Sequence, residues 1–130
     1  MTPSPATFRR APTPLVATLV LGALGSAQAF PEGATSPSAT ALKAHLDDRV
    51  FGTALADGTT WQVEFKSGGY VFVNTSSGRH FKGEWKAEDG RICTTMGPGA
   101  EVSCSEARLH DGMLHVRRAA NGELIRYTPK

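Results

Sequence analysis

From Val50 to Tyr127, short runs of alternating apolar and polar residues are interrupted by turn-forming pairs about every ten residues. The pairs are Asp57-Gly58, Ser67-Gly68, Ser77-Gly78, Asp89-Gly90, Pro98-Gly99, Asp111-Gly112 and Asn121-Gly122. Alternation is typical of strands with one buried face, and such pairs are typical of hairpin loops. Seven turns separate eight strands, so the pattern predicts an all-β fold: an eight-stranded antiparallel meander that closes into a small barrel.

If every pair is a two-residue hairpin loop, residues at equal distances from it face each other and share one face of the sheet. We then expect one inner face that continues through all seven hairpins. Its members are Val50, Gly52, Ala54, Trp61, Val63, Phe65, Tyr70, Phe72, Phe81, Gly83, Trp85, Ala87, Ile92, Thr94, Met96, Ser103, Ser105, Ala107, Leu109, Leu114, Val116 and Tyr127. The outer face is mostly charged, and its apolar exceptions are Phe51, Leu55, Val71 and Val73.

One helix is predicted before the strands, from Ala39 to Asp48. Ser38 is its candidate N-cap, and Leu42 and Leu46 lie four residues apart on one face. We expect this helix to pack on the barrel and to cover some of the outer apolar residues. Residues 30–38 are rich in Pro, Gly, Ser and Thr, which predicts a flexible lead-in to a single domain over residues 39–130.

Residues 1–29 have the composition of an export signal. A basic start at Arg9-Arg10 precedes an apolar run over residues 15–25, and Ala27-Gln28-Ala29 is a small-x-small cleavage pattern. The apolar run is much shorter than the ~20 residues of a membrane-spanning helix. We therefore expect cleavage before Phe30, no membrane anchor, and a periplasmic or secreted mature protein.

Cleavage would change the net charge of the protein. The chain has 14 Lys and Arg against 12 Asp and Glu, and the excess equals Arg9 and Arg10. The predicted mature chain is formally neutral, so its charge predicts no nucleic-acid partner and no binding to anionic membranes. We expect a monomer.

Cys93 and Cys104 lie at equal distances from Pro98-Gly99 and therefore face each other across one hairpin, on the outer face. With a four-residue loop over residues 97–100 they form a non-hydrogen-bonded pair, in which the Cα atoms are close. In a small exported domain this placement predicts a structural disulfide, contributing on the order of 3 kcal/mol.

Some polar residues lie among the aromatic residues of the predicted inner face. A two-residue loop at Asn121-Gly122 points Arg118 inward against Ile125, but it also sets Arg117 opposite Arg126. Because like charges repel, we favour a longer or bulged loop, which would move Arg118 outward. An inward Arg118 would suit a small anionic or amphipathic ligand, whereas simple core filling is the alternative for the aromatic residues. The candidate ligand-binding residues are Trp61, Tyr70, Trp85, Thr94, Ser103, Ser105, Arg118 and Tyr127.

The sequence contains no recognisable catalytic or metal-binding pattern. The histidines do not have ligand spacing, and there is no Gly-x-Ser-x-Gly motif; the four histidines are His45, His80, His110 and His115. The predicted inner face carries no carboxylate that could act as acid or base. We therefore expect no enzyme activity, no metal and no cofactor.

Short motifs give the chain a family resemblance. Gly52 to Trp61, the Gly-Glu-Trp triplet at residues 83–85, Asp89 to Cys93, and Cys104 resemble a group of small exported bacterial proteins. These are mostly uncharacterised lipocalin-like β-barrels, and the resemblance covers residues 50–127. It implies a fold and a compartment but no chemistry. True lipocalins carry Gly-x-Trp on the first strand, whereas here it is on the fourth, so their ligands do not transfer.

Two functional hypotheses follow. The first is a non-enzymatic binding module that holds a small ligand inside the barrel or at its mouth. The second is a protein-interaction module, such as an inhibitor of an envelope hydrolase, which uses the loops or the exposed strands that carry Val71 and Val73.

Overall fold

The computed structural model describes residues 28–130, and most of the predicted export signal lies outside them. The elements are α1 (Ala39–Leu46), β1 (Arg49–Ala54), β2 (Thr60–Phe65), β3 (Tyr70–Thr75), β4 (His80–Glu88), β5 (Arg91–Thr95), β6 (Ser103–His110), β7 (Met113–Arg117) and β8 (Leu124–Pro129). Each strand pairs antiparallel with the next, and β8 pairs with β1, so the sheet is a closed barrel. The predicted eight-stranded meander barrel with one N-terminal helix is confirmed.

Three hairpins have the predicted register. Trp85 lies opposite Thr94 between β4 and β5, and Leu109 lies opposite Leu114 between β6 and β7. Between β5 and β6, Cys93 lies opposite Cys104. The loops after β4 and β6 have two residues each, and Asp111 and Gly112 both have positive φ, as a tight type I′ turn requires.

The first three hairpins differ from the prediction by one residue. Their loops contain three residues, because the backbone N–H groups of Leu55, Lys66 and Thr75 donate to the carbonyls of Thr59, Tyr70 and Arg79. Each loop ends in a glycine with φ between 86° and 97°, namely Gly58, Gly69 and Gly78. This geometry is the three-residue hairpin with a left-handed glycine, which shifts the register by one relative to a two-residue loop.

This shift exchanges the two faces of β1 and β3. Phe51, Val71 and Val73, predicted to lie outside, point inward and are buried. Tyr70 and Phe72, predicted to lie inside, occupy the outer face, and Tyr70 is 47% exposed. Because the errors at the second and third loops cancel, the faces of β2 and β4 agree with the prediction.

The outer positions of β1 were therefore also mispredicted. Val50, Gly52 and Ala54 were expected inside, but they alternate with the buried Phe51 and Thr53. The inward-facing wall of β1 consists of these last two residues.

The last hairpin has the longer loop that the like-charge argument favoured. The Arg118 N–H donates to the Glu123 carbonyl at 2.8 Å, and Arg117 faces Leu124 instead of Arg126. Tyr127 pairs with Leu114, two residues away from its predicted partner Val116, so it keeps its inward orientation. The expectation that a longer loop moves Arg118 outward is wrong, as the cavity described below shows.

Helix α1 closes one end of the barrel. The Ser38 hydroxyl accepts from the Ala41 N–H at 3.1 Å, which confirms the predicted N-cap. Leu42 and Leu46 have no exposed surface and join the core cluster that contains Phe51 and Trp85. The helix ends at Leu46, two residues before the predicted end, and packs against β4 and β1. It covers the barrel end, instead of the outer face of β1 and β3 as expected.

Residues 28–38 run along the outside of the barrel. Thr35 forms a β-bridge with Leu109, and the Pro37 carbonyl accepts from the Gly90 N–H at 2.8 Å. The Phe30 ring lies 4.4 Å from the Arg117 guanidinium carbon. The segment predicted as a lead-in is therefore attached to β6 and β7 by both backbone and side-chain contacts.

The predicted disulfide is present, and its Cα atoms are 4.0 Å apart. Cys93 is almost fully buried although it belongs to the outer face. The bridge joins β5 to β6, next to the long loop that connects these strands.

Adjacent glycines in the loop after β2 provide a test of the three-residue geometry. Gly69 has φ +97°, whereas Gly68 has no positive φ and no atom near the position of an added Cβ. We expect Gly69→Ala to lower the free energy of unfolding by about 1–2 kcal/mol, because a Cβ is strained in the left-handed region. The control Gly68→Ala should be neutral or slightly stabilising. Equal effects in urea denaturation would contradict the loop assignment.

Removal of the disulfide tests its contribution. We expect the double variant Cys93→Ser, Cys104→Ser to lose about 3 kcal/mol of unfolding free energy, because the unfolded chain regains loop entropy. Urea denaturation with and without a reductant measures this. The reductant should destabilise the wild type by a similar amount and leave the variant unchanged; a variant as stable as the oxidised wild type would refute the prediction.

Candidate functional site

The barrel contains a cavity of about 380 Å³ in the half away from α1. Its deeper walls are apolar side chains of the strands, and its opening lies among the loops after β5 and β7. The lining residues are Trp61, Val63, Phe65, Val71, Val73, Phe81, Ile92, Thr94, Met96, Ser103, Ser105, Val116, Arg118, Ala119, Ala120, Ile125 and Tyr127. We call this arrangement a cup. Its lower half, next to α1, is occupied by buried side chains, and its upper half, away from α1, contains the open cavity.

Six of the eight predicted site residues lie on this cavity: Trp61, Thr94, Ser103, Ser105, Arg118 and Tyr127. Trp85 points into the barrel as predicted, but it lies below the cavity in the core. Tyr70 does not line the cavity, because the three-residue loops turn it to the outer face. Its predicted inward orientation is wrong.

The floor of the cup is a cluster of aromatic rings. The Phe65 ring packs edge-on against Trp85 at 5.1 Å and lies 5.9 Å from Tyr127. The Trp85 indole N–H donates to the Lys66 carbonyl at 2.9 Å, so this buried polar group is satisfied. His45 of α1 stacks on Phe51 at 5.7 Å and closes the cluster from below.

Arg118 lies at the mouth of the cavity. Its guanidinium carbon is 4.9 Å from the centre of the Trp61 ring, and Nη1 donates to Glu123 Oε1 at 3.0 Å. The other oxygen of Glu123 accepts from the Ala56 N–H. This backbone hydrogen bond, followed by the interaction with Arg118, holds the pKa of Glu123 below its ordinary value. The ion pair therefore bridges the loops at the mouth and fixes the guanidinium against Trp61.

The wall formed by β5 and β6 carries the hydroxyl groups. Thr94 and Ser103 face each other across the two strands, and Ser105 lies opposite Ile92. The Ser105 hydroxyl accepts from the Ala119 N–H at 3.0 Å, which ties this wall to the loop after β7. The remaining side of the mouth is apolar, with Phe81 and Met96.

Gly83 of β4 leaves space for the side chain of Met96, the residue that follows β5. A Cβ at Gly83 would lie 2.6 Å from the Met96 sulfur and 2.5 Å from the Thr95 carbonyl oxygen, distances that real contacts do not reach. The absence of a side chain at Gly83 therefore gives Met96 its place on the cavity lining.

Most of the apolar lining was predicted as inner face, but only Trp61 and Tyr127 among these residues were predicted to bind a ligand. Val71 and Val73 were missed because the loop lengths were misassigned. Ala119 and Ala120 belong to the loop after β7, and alternation along strands gives no signal for loop residues. Small alanines at this position leave the mouth open.

The lining offers little acid–base chemistry. Arg118 and Tyr127 are its titratable residues, and among residues 28–130 no carboxylate or imidazole lines the cavity. Glu88 lies near Cys93 and Cys104, but both sulfurs are bonded to each other and are not available as thiolate ligands. The arrangement of the cavity is suited to binding.

Comparison with models of known protein families, with curated proteins and with solved structures finds no match. Within the described part of the chain, no helix has the length and apolarity needed to cross a membrane. What the structure shows is an eight-stranded antiparallel closed barrel with an internal cavity and one disulfide, a bond that points to an oxidising compartment.

Two partly buried histidines predict a pH-dependent stability of the fold. Burial, and then the charge of Arg49, lower the pKa of His45 from its ordinary value of 6.5, and burial also lowers the pKa of His115. The unfolded chain therefore binds protons at a higher pH than the folded chain, and stability falls as the pH drops through about 6.5. The carboxylates whose pKa is lowered change the stability only at more acidic pH, where they become protonated.

We expect the urea midpoint to be lower at pH 5.5 than at pH 7.5, and the difference to be smaller in His45→Phe, which keeps an aromatic ring on Phe51. Urea denaturation at both pH values measures this. A wild-type midpoint that is constant or rises on acidification would show that the histidines do not have this role.

Proposed function

We propose that this protein is an exported, non-enzymatic binding module that holds a small, mainly apolar ligand in the barrel cavity. The observation that carries the proposal is the cup: a cavity of about 380 Å³, closed at one end by α1 and open at the other. Its apolar lower wall would bury the body of a ligand, and the polar groups at the mouth would orient it.

The volume of the cavity supports a ligand more than a packing defect. Protein interiors are close-packed, and the few voids that they contain are usually not much larger than a water molecule. Sites for small molecules commonly measure about 300–1,000 Å³, which includes the value found here. In a domain this short, a cavity of this size is better explained by a ligand that occupies it than by a packing defect.

The proposed compartment is the periplasm or the extracellular medium. The disulfide supports it, together with the export pattern at residues 1–29 and the resemblance to small exported lipocalin-like barrels. The predicted monomeric state and the absence of an anchor remain part of this proposal.

The alternative of a protein-interaction module loses one of its two candidate surfaces, the strands that carry Val71 and Val73, and keeps the other, the loops. Val71 and Val73 line the cavity and cannot contact a partner on the outer surface. The envelope-protein partner therefore has less support than the small ligand.

Binding of a neutral apolar dye, N-phenyl-1-naphthylamine, tests the proposed function. We expect its fluorescence to rise on addition of the wild-type protein, and Ser103→Trp, which places an indole at the mouth, to weaken binding about tenfold or more. The matched control is Val102→Trp at a residue that is 62% exposed and does not line the cavity. It should bind as the wild type does.

Two results would count against the proposal. The first is an unchanged dye fluorescence on addition of the wild-type protein, and the second is equal binding of the dye by Ser103→Trp and Val102→Trp. The second result would place the dye elsewhere on the protein.

A further inference from the structure

Tyr127 is the one lining residue that brings a hydrogen-bond donor to the aromatic floor of the cavity. The residue is only 9% exposed, and its ring lies 5.9 Å from both Phe51 and Phe65. No hydrogen bond joins its hydroxyl to any of residues 28–130. Within residues 28–130 this phenol is therefore a donor without a protein acceptor, on a residue that lines the cavity.

A second unused hydroxyl lies on the same side of the barrel. Phe51 pairs with Pro129 and Gly52 with Thr128 between β1 and β8, and the next step of this register places Thr53 opposite Tyr127. Thr53 is buried, and its Oγ1 has no hydrogen-bond partner within the described residues. Both hydroxyls are neutral, and of the two residues Tyr127 is the one that lines the cavity.

This part of the cavity disfavours negative charge. Burial raises the pKa of Tyr127 to about 12, although the positive charge of Arg118 acts in the opposite direction. The phenol therefore stays protonated at physiological pH and is a donor. Arg118 is already paired with Glu123 at the mouth, which reduces the charge it offers to an anion deeper in the cup.

We propose that the cavity selects neutral, mainly apolar molecules that carry a carbonyl-type oxygen, and that this oxygen accepts a hydrogen bond from the Tyr127 hydroxyl. The apolar body lies against the valines and Phe65, and the donor supplies the specificity. This inference rests on the proposed function, since it names the ligand class of the same cavity.

Three probes of nearly the same shape test the inference: acetophenone, ethylbenzene and benzoate. Acetophenone carries a neutral carbonyl, ethylbenzene has none, and benzoate replaces the methyl group with a charged oxygen. Their dissociation constants are measured by titration of the NMR spectrum of the ¹⁵N-labelled wild type, with shifts at the cavity-lining residues as the readout. The same titrations are made with Tyr127→Phe and with the outer-face control Tyr70→Phe.

We expect acetophenone to bind more tightly than benzoate in the wild type. The ratio of the ethylbenzene constant to the acetophenone constant should fall about two- to tenfold in Tyr127→Phe, the range expected for one hydrogen bond. It should be unchanged in Tyr70→Phe. Because the comparison is a ratio of ratios, the different hydrophobicity of the two probes cancels.

The inference would be overturned, with the proposed function intact, if both neutral probes bind in the cavity and their ratio is the same in Tyr127→Phe. Tighter binding of benzoate than of acetophenone would also overturn it, in favour of an anionic ligand class. If none of the probes, nor N-phenyl-1-naphthylamine, binds in the cavity, the proposed function fails as well. Tyr127→Phe removes one hydroxyl that has no hydrogen bond to residues 28–130 and keeps the ring, and thermal unfolding checks that the variant is folded.

Discussion

Pairing between β1 and β8 is the interaction on which the rest of the structure depends. It is short, with Phe51 opposite Pro129, Gly52 opposite Thr128, and one further hydrogen bond from the Lys130 N–H to the Val50 carbonyl. These contacts remove both free edges of the sheet and enclose an interior. An open meander with the same strands would expose the apolar face that the closed barrel buries. Tyr127 of β8 lies at this seam and lines the cavity, so the same pairing that closes the sheet also positions part of the cavity wall.

The two ends of the barrel are built differently, and this difference produces the cup. At the lower end, α1 adds Leu42 and Leu46 to the aromatic cluster, and both side chains are fully buried. At the upper end, the loops contribute small residues and the Arg118–Glu123 pair, and the cavity opens among them. Filling of one end supplies the stability that a small domain needs, and the other end is left free for binding.

The spacing of turn signals was sufficient to predict the strand number, the meander and the disulfide, because these depend only on where the chain reverses. The faces of β1 and β3 depend on whether a loop has two or three residues. Ser67-Gly68-Gly69 contains two adjacent turn pairs, and its residue types do not reveal which glycine takes the left-handed conformation. Five site residues were nevertheless placed on the inner face as predicted, since Trp61 belongs to β2 and Thr94, Ser103, Ser105 and Tyr127 lie at or beyond β5. The inward position of Arg118 depends on the path of a six-residue loop, which alternation cannot describe.

The three-residue loops also affect how this chain tolerates change in length. Side chains alternate between the inner and outer faces along a strand. A residue that follows a loop therefore changes face when the loop gains or loses one residue. Deletion of a single residue from residues 67–69 would exchange the inner and outer sides of β3 while every residue of that strand stayed the same, and Tyr70 and Phe72 would then compete with Val71 and Val73 for the interior. In this barrel, loss or gain of one loop residue exchanges the inner and outer faces of the following strand, whereas a change of two residues leaves each side chain on its own face. Sequences related to this one should therefore vary the lengths of these loops in steps of two residues.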